Sequence, residues 1–343
     1  MTQERASVAW AVVWVFVATA AGRLMSLASL VVLARLLAPA DFGLLAFALV
    51  YITYVETVGD LGSGMALIYW PSRREDAAQV TFALNLAMGA VWFAVTQLTA
   101  PLVAAFFGNP GGEAVLRALA WTFPLKALGN THDALCQKDL RFRARLAPEL
   151  GLSGGKAVLS VALAAAGFGV WSLVWGQLAG VALWTAMLWR AVPWRPRLRW
   201  PGDLLRPMLA YGRSIVSVNV LAAVVHHADL VVVGRMLGAT TLGLYHVAYK
   251  VPEMTITVVM WAVSRVLFPA LARNQAGGRA PIEGYLAALR YSSLLTVPAA
   301  AALVLLAEPL VRTLFGAPWA EAAPILRALA IYSGLRSLGT QAG

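Results

Sequence analysis

The chain has 343 residues, of which 60% are hydrophobic and 13% charged, and its formal net charge is +11. An ordinary soluble domain carries about 25% charged residues, so this composition excludes one water-soluble core and indicates a membrane protein. The single cysteine, Cys136, excludes an intrachain disulfide and a cysteine-based metal cage. The positive charge alone would suit nucleic acid, but its distribution, described below, indicates membrane orientation and no nucleic-acid partner.

Apolar segments long enough to cross a bilayer, which needs about 20 residues, follow one another along the chain. Ten predicted spans run over residues 8–37, 41–69, 77–106, 113–136, 146–167, 169–191, 206–237, 241–271, 284–314 and 320–341. Short breaks made of Pro, Gly, Asn or Asp separate them. The segment 59–62, Gly-Asp-Leu-Gly, predicts local unwinding inside the second span. The sequence shows no sustained alternation of period two, which favours an all-α polytopic protein over a closed barrel.

The first apolar segment admits a second interpretation. Arg5, the apolar run from Val8 and the small-residue triplet 18–20 are typical of a cleaved signal peptide. The apolar pattern nevertheless continues to Leu37, and its end belongs to the repeat described below. We therefore interpret residues 8–37 as the first spanning helix.

Basic residues concentrate in every second loop of this arrangement. They are Arg5, Arg73, Arg74, Lys138, Arg141, Arg143, Arg145, Arg195, Arg197, Arg199, Arg273 and Arg279. The alternate loops hold almost none, with Arg312 near a helix end as the main exception. Because basic loops stay cytoplasmic, the N-terminus and the end of this chain are both predicted to be cytoplasmic.

The sequence contains an internal repeat. Val31–Tyr51 reads VVLARLLAPADFGLLAFALVY, and Val231–Val251, 200 residues later, reads VVVGRMLGATTLGLYHVAYKV. Leu116–Ala120 also recurs, as Leu326–Ala330. Each copy of the first stretch is the end of one apolar helix, a break and the start of the next, so the repeat predicts two similar halves.

The halves are predicted to be an N-terminal lobe of six helices over residues 1–200 and a C-terminal lobe over 201–343 that holds only the first four helices. Both begin on the same side, which makes the repeat parallel. The counterpart of residues 134–200 is missing from the second half. We therefore expect a C-terminally incomplete chain, and the alternative is a natural ten-span protein.

Four stretches carry a resemblance to a known family. They are RLLAPADFGLLAFA, DLGSGMALI, DLVVVGRMLGATTLGLYHVAYKVPEM and SRVLFPALAR. In these the chain resembles polysaccharide flippases of the multidrug/oligosaccharidyl-lipid/polysaccharide exporter superfamily. The resemblance implies two six-helix lobes in the bacterial cytoplasmic (inner) membrane. It also implies flipping of undecaprenyl-diphosphate-linked oligosaccharide repeat units for surface polysaccharides, with membrane lipids and polysaccharide assembly proteins as further partners.

Basic residues at membrane depth are the candidates for binding such a diphosphate, because charges there usually face a protein interior. Arg23, Lys126, Lys250 and Arg336 are predicted to line an anion-binding cavity between the halves, where Lys126 and Arg336 occupy equivalent positions. The alternative for each is structural. Arg23 would then pair with Glu56, Lys250 with Glu253 three residues later, and the other two would bind carbonyl groups within their lobes.

Acidic residues in the spans suggest a second role. Asp229 with Asp60 or Glu56 is a candidate for relaying protons or binding a coupling cation. The neighbouring His226 and His227 do not have the usual spacing of metal ligands, so no metal site is predicted. Neither a nucleotide-binding loop nor a nucleophile motif occurs in the sequence, so we expect neither a cofactor nor an enzyme.

Three other functions compete with flipping. A small-molecule antiporter of the same superfamily would export cations and would need an acidic cavity. A membrane polysaccharide polymerase or ligase would need a large outer loop with catalytic residues, whereas the outer loops here are short. A structural assembly protein is the third alternative.

Overall fold

The computed structural model describes residues 22–59, 61–70, 73–139, 141–197, 201–276 and 281–339. Its helices are α1 (22–36), α2 (Pro39–Gly59), α3 (Ser63–Tyr69), α4 (Arg74–Phe106), α5 (Gly112–Leu119), α6 (Thr122–Lys138), α7 (Phe142–Ala165), α8 (Val170–Ala191), α9 (Leu205–Ala276), α10 (Pro281–Leu314) and α11 (Ala322–Gly339). None of the described residues lies in a β-strand. The predicted all-α fold class is therefore confirmed.

Several helices have the length and composition of membrane spans. Five stretches of the described residues are long and apolar enough to cross a bilayer: Pro39–Gly59, Arg74–Phe106, Val170–Ala191, Val216–Thr255 and Ser292–Leu314. They coincide with predicted spans, and the chain is a multi-pass membrane protein. The Val216–Thr255 stretch contains the predicted break between the seventh and eighth spans.

The repeated stretch forms a helix break in both copies. Between α1 and α2, the backbone N–H of Ala38 donates to the Asp41 carboxylate at 3.0 Å, and the N–H of Asp41 donates to the Ala38 carbonyl at 3.0 Å. This reciprocal cap, followed by Pro39 at the first helical position, starts α2. The second copy uses a glycine instead, because Gly238 interrupts α9 with φ 80° and ψ 177°.

The unwinding predicted at the inner end of the second span is present. Helix α2 ends at Gly59 and α3 begins at Ser63. Between them, Leu61 and Gly62 have φ of 47° and 66°. A left-handed conformation at two successive residues cannot continue a right-handed helix, so the chain changes direction here.

The helix predicted over residues 113–136 is interrupted, because α5 ends at Leu119 and α6 begins at Thr122, with Ala120 and Trp121 between them still in the right-handed helical region. The carbonyl of Ala120 accepts from the N–H of Phe123 at 3.0 Å, three residues later. Its normal helical donor would be residue 124, which is Pro124 and has no N–H. The regular helical hydrogen-bond pattern is therefore interrupted at Ala120 and Trp121 and resumes in α6.

The chain divides into two compact units, Met1–Leu242 and Gly243–Gly343. In the first unit, a cluster of buried apolar side chains lies where α3, α4, α6 and α8 meet, and it includes Leu67, Val80, Leu135 and Leu188. In the second unit, α10 packs against α11. The predicted lobe boundary near residue 200 was inferred from the repeat and stays a prediction.

Candidate functional site: a polar cavity in the first unit

The first unit encloses a cavity of about 320 Å³ between α2, α4, α6, α7 and α8. Its lining residues are Glu56, Gly59, Asn85, Met88, Gly89, Trp92, Phe123, Lys126, Ala127, Asn130, Asp133, Glu149, Leu152, Val181 and Trp184. Glycine makes the helices close enough to form one wall, since a Cβ on Gly89 would lie only 2.8 Å from the Cβ of Ala127. The volume lies at the lower end of the range for small-molecule sites.

An ion pair between two helices forms part of this wall. The Lys126 ammonium on α6 donates to the Glu56 carboxylate on α2 at 2.8 Å. The second carboxylate oxygen of Glu56 and the indole N–H of Trp92 are both buried without a hydrogen-bond partner among the described residues. An acceptor and a donor are thus left unused beside the cavity, where a ligand or water could satisfy them.

Further acids lie along the cavity on α6 and α7. The Asp133 carboxylate accepts from Arg145 at 2.7 Å, and Arg145 also approaches Glu149 at 3.4 Å. The lining holds three carboxylates, of Glu56, Asp133 and Glu149, and one ammonium, of Lys126. Even with Arg145 counted, acids outnumber bases, so the cavity favours neutral or positively charged ligands over a diphosphate.

The remaining lining includes aromatic and amide side chains. Trp92, Trp184 and Phe123 supply flat apolar surfaces, and Asn85 and Asn130 supply amides. The Asn85 side chain accepts from Ser63 and donates to Thr131, each at 3.3 Å. Aromatic faces beside amide and carboxylate groups can pack against the C–H face of a sugar and bond its hydroxyls.

The four basic residues predicted to bind the diphosphate do not share this cavity. Lys126 lines it, whereas the lining does not include Arg23, which lies half-buried in α1. In the second unit, Lys250 donates to Glu253 at 2.8 Å, the local pair that the spacing allowed. Arg336 donates to the hydroxyl of Tyr249 at 3.3 Å, next to Lys250 in the chain.

Three of the expected structural partners were wrong, those of Arg23, Lys126 and Arg336. Glu56 pairs with Lys126 rather than with Arg23, and Lys126 therefore binds a carboxylate rather than carbonyl groups. Arg336 likewise bonds a hydroxyl rather than a carbonyl. The anion-binding role of the basic residues stays a prediction.

The structure describes some, but not all, of the acidic residues predicted to relay protons or bind a coupling cation. Asp229 on α9 is half-buried, and its carboxylate accepts from the backbone N–H of Leu230 at 2.8 Å. Asp60 lies outside the described residues. Within the described part of the chain, no group of three His, Cys, Asp or Glu side chains is placed to hold a metal ion. The ring of His227, one of the paired histidines, instead meets Tyr54 edge-on with centroids 6.3 Å apart.

Sequence reasoning missed most of the cavity. Asp133 and Glu149 are ionisable residues inside predicted spans. Such residues usually face a protein interior, which is the reason that Lys126 is a candidate, and the same reason applies to these two acids. Trp92 and Trp184 carry no comparable pattern, because tryptophan is frequent throughout this chain and common at membrane interfaces. Whether Trp92 and Trp184 line the same cavity depends on the rotation of each helix about its own axis.

A contact joins two predicted spans near their cytoplasmic ends. A Cβ on Gly62 would lie 2.6 Å from the Cα of Gly212, so the chain before α3 and the start of α9 touch backbone to backbone. Arg73 is bonded to Asp203 in the same region, and this bond holds the pKa of the Asp203 carboxyl below its usual range. Residues predicted to lie on one side of the membrane thus lie together.

A second contact joins the two repeated breaks, which are predicted to face outward. A Cβ on Gly43 would collide with the carbonyl oxygen of Ala239, so only glycine fits there. Nearby, the Arg235 guanidinium lies over the ring of Phe106, 5.4 Å from its centroid. The first half of α9 therefore contacts the preceding helices at both of its ends.

The fold has known counterparts among transporters. The inward closed structure of the lipid II flippase MurJ matches 96% of this chain and 76% of that chain, with a TM-score of 0.75 and 14% sequence identity. An inward-facing multidrug resistance MATE family transporter matches 94% of this chain and 82% of that chain, with a TM-score of 0.66 and 13% identity. At these identities the likeness concerns the fold alone.

Comparison with proteins of similar sequence shows the family to which the chain belongs. The chain is 26% identical over 304 residues to the succinoglycan biosynthesis transport protein ExoT of Rhizobium meliloti (strain 1021), covering 89% of this chain and 62% of that protein. It is 25% identical over 290 residues to the teichuronic acid biosynthesis protein TuaB of Bacillus subtilis (strain 168), covering 83% and 59%. The chain thus spans about three fifths of each relative. The family model described as polysaccharide biosynthesis protein matches residues 32–324, and the chain belongs to that family.

Proposed function

We propose that this protein flips undecaprenyl-diphosphate-linked oligosaccharides from the cytoplasmic to the outer leaflet of the bacterial inner membrane, for surface polysaccharide biosynthesis. The observation that carries the proposal is the family match over residues 32–324, together with a curated relative named as a transport protein for succinoglycan biosynthesis. The N-terminus is cytoplasmic in this proposal, and the protein acts as a transporter rather than as an enzyme.

The cavity of the first unit suits the sugar part of such a substrate. Its three aromatic residues and two asparagines offer stacking surfaces and hydrogen bonds, and its volume of about 320 Å³ holds a single sugar ring. Its excess of acids over bases disfavours the diphosphate. The candidates for contacting the diphosphate are therefore the predicted basic residues outside the cavity, Arg23 in the first unit and Lys250 and Arg336 in the second unit.

Alternating access supplies the mechanism in this proposal. A polar head group can leave toward one side only when the helices part there, and the two contacts made by α9 are the places where this chain would open. On the cytoplasmic side, Gly62 must separate from Gly212 and Arg73 from Asp203. On the outer side, Gly43 must separate from Ala239.

A small-molecule antiporter is the second candidate, and one observation favours it. Three acids line the cavity against one base, which is the charge balance that a cationic substrate needs. The family match favours the lipid-linked sugar instead. The two functions differ in what accumulates when the protein is lost.

Deletion of the encoding gene tests the proposal. Under it, lipid-linked intermediates accumulate on the inner leaflet and surface polysaccharide disappears, and the wild-type gene restores both. Normal polysaccharide with raised sensitivity to cationic dyes would overturn flipping in favour of the antiporter.

A cavity-filling variant tests the site in the same strain. Met88→Trp fills the cavity from α4, and Leu98→Trp places the same side chain on the same helix at a position that is 77% exposed. We expect the first to abolish export at normal membrane levels and the second to leave it intact. Equal export by both would remove the cavity from the transport path.

A further inference from the structure

A second pocket lies at the predicted cytoplasmic end of the first unit. It measures about 440 Å³ and forms where α4 begins and where α6 and α8 end. Its lining residues are Arg74, Glu75, Gln79, Asp139, Arg141, Val192, Pro193, Trp194, Arg195 and Arg197. Four arginines and two acids therefore surround it, which leaves an excess of positive charge.

The acids neutralise only part of this charge. Asp139 binds Arg74 at 2.6 Å and lies 3.9 Å from Arg141, so one carboxylate serves two guanidinium groups. Glu75 lies 3.5 Å from Arg197, and both side chains are exposed. Pairs this long and exposed are weak, which leaves Arg141 and Arg197 able to bind another anion.

Arg195 is held in place by groups that carry no net charge. Its guanidinium donates to the carbonyls of Val192 and Trp194 at 2.9 and 2.8 Å and lies over the ring of Trp189, 5.4 Å from its centroid. These contacts fix the direction of the side chain without cancelling its charge. The pocket thus has a preorganised cation beside two tryptophans.

We propose that this pocket binds the phosphate of an anionic lipid in the adjacent leaflet. Its position at three helix ends is the depth of lipid head groups, and tryptophans are typical of that depth. Arginine binds phosphate in a two-pronged geometry, and basic pockets between spanning helices on the cytoplasmic side are suited to anionic head groups. The inference does not depend on the proposed flipping, since any anionic membrane lipid would satisfy it.

Native mass spectrometry of the detergent-purified protein tests the pocket. Phosphatidylglycerol and phosphatidylcholine are titrated separately against the wild type and against Arg141→Gln/Arg197→Gln, which removes the two weakly paired arginines. Each basic residue near an anionic lipid contributes about fivefold in affinity, so the double variant should bind phosphatidylglycerol about 30-fold more weakly. Phosphatidylcholine should bind weakly to both proteins.

The matched control removes two arginines from the predicted outer end, Arg117→Gln/Arg235→Gln, and should bind phosphatidylglycerol as the wild type does. Equal binding of the two lipids by the wild type, or equal losses in the pocket and control variants, would overturn the proposal. A further titration with undecaprenyl diphosphate identifies the source of the phosphate. Displacement of phosphatidylglycerol at equal concentration assigns the pocket to the substrate lipid, and retention assigns it to a bulk phospholipid.

Discussion

The ion pair between Lys126 and Glu56 can be tested by a double-mutant cycle. Lys126→Met removes the ammonium and keeps much of the side-chain volume, and Glu56→Gln removes the negative charge and keeps the shape. The combined variant measures the coupling between the two residues. The i,i+3 pair of Lys250 and Glu253 has the same chemistry and the same 2.8 Å distance, so it provides the reference cycle.

The expected magnitudes follow from exposure and from the remaining bonds. Fully exposed pairs contribute about 0.2–1 kcal/mol, whereas removing one partner of a buried pair costs about 3–5 kcal/mol. The Lys126 and Glu56 side chains are 33% and 30% exposed, and Glu56 already has one buried oxygen without a partner. We therefore expect Lys126→Met to destabilise the protein by about 2 kcal/mol, and most of this loss should be absent in the Glu56→Gln background.

The Lys250–Glu253 pair should give a much smaller coupling free energy than the Lys126–Glu56 pair. Lys250 and Glu253 are 40% and 43% exposed and lie on one helix, where such pairs contribute about 0.2–0.5 kcal/mol. At an unfolding entropy of about 2.1 cal/mol/K per residue, 2 kcal/mol corresponds to roughly 3 °C for 343 residues. Thermal unfolding in one detergent at fixed ionic strength resolves this difference. Equal coupling in the two cycles would refute the argument that the cavity shields its ion pair.

Two further predictions concern the loops that are predicted to be cytoplasmic. The Lys138 ammonium donates to the carbonyls of Leu67, Ile68 and Trp70 at the end of α3, at 2.8, 3.3 and 2.5 Å. Lys138→Met should therefore lower the free energy of unfolding by about 2 kcal/mol. An unchanged midpoint of thermal unfolding would contradict this capping role. The bond to Arg73 lowers the pKa of the Asp203 carboxyl below its ordinary value, so the stabilisation from this pair is fully present above about pH 4 and is lost as the pH falls through the folded-state pKa. Unfolding midpoints of the wild type and Asp203→Asn should differ by a constant amount from pH 5 to 8 and converge in more acidic buffer; convergence beginning near pH 6 would contradict this assignment.

Much of the fold could be predicted because its signals are local. Apolar segments separated by Pro and Gly gave the positions of the helices, and the unwound turn before Gly62 follows from two glycines close together. The alternation of basic loops predicted which helix ends share a side, and the contacts of Gly62 with Gly212 and of Gly43 with Ala239 agree with it. The assignment of one of those sides to the cytoplasm stays a proposal.

The cavity could not be predicted in the same way, because it depends on the rotation of each helix. Lys126 and Glu56 are 70 residues apart in sequence, and nothing local indicates that they meet. Arg23 and Glu56 both lie in the first lobe, but proximity in sequence does not determine which sides of two helices contact each other. By contrast, the pair of Lys250 and Glu253 lies on one helix turn, where spacing alone determines contact.

The interruption between α5 and α6 shows that two copies of a repeated sequence can differ in secondary structure because of one nearby residue. Leu116–Ala120 and Leu326–Ala330 have the same sequence, yet the first copy ends a helix and the second lies inside α11. The residue four places after Ala120 is Pro124, whereas the corresponding residue after Ala330 is Gly334, whose N–H can continue the helix. Lys126 lies in α6, after this interruption, and its ammonium donates to the carboxylate of Glu56.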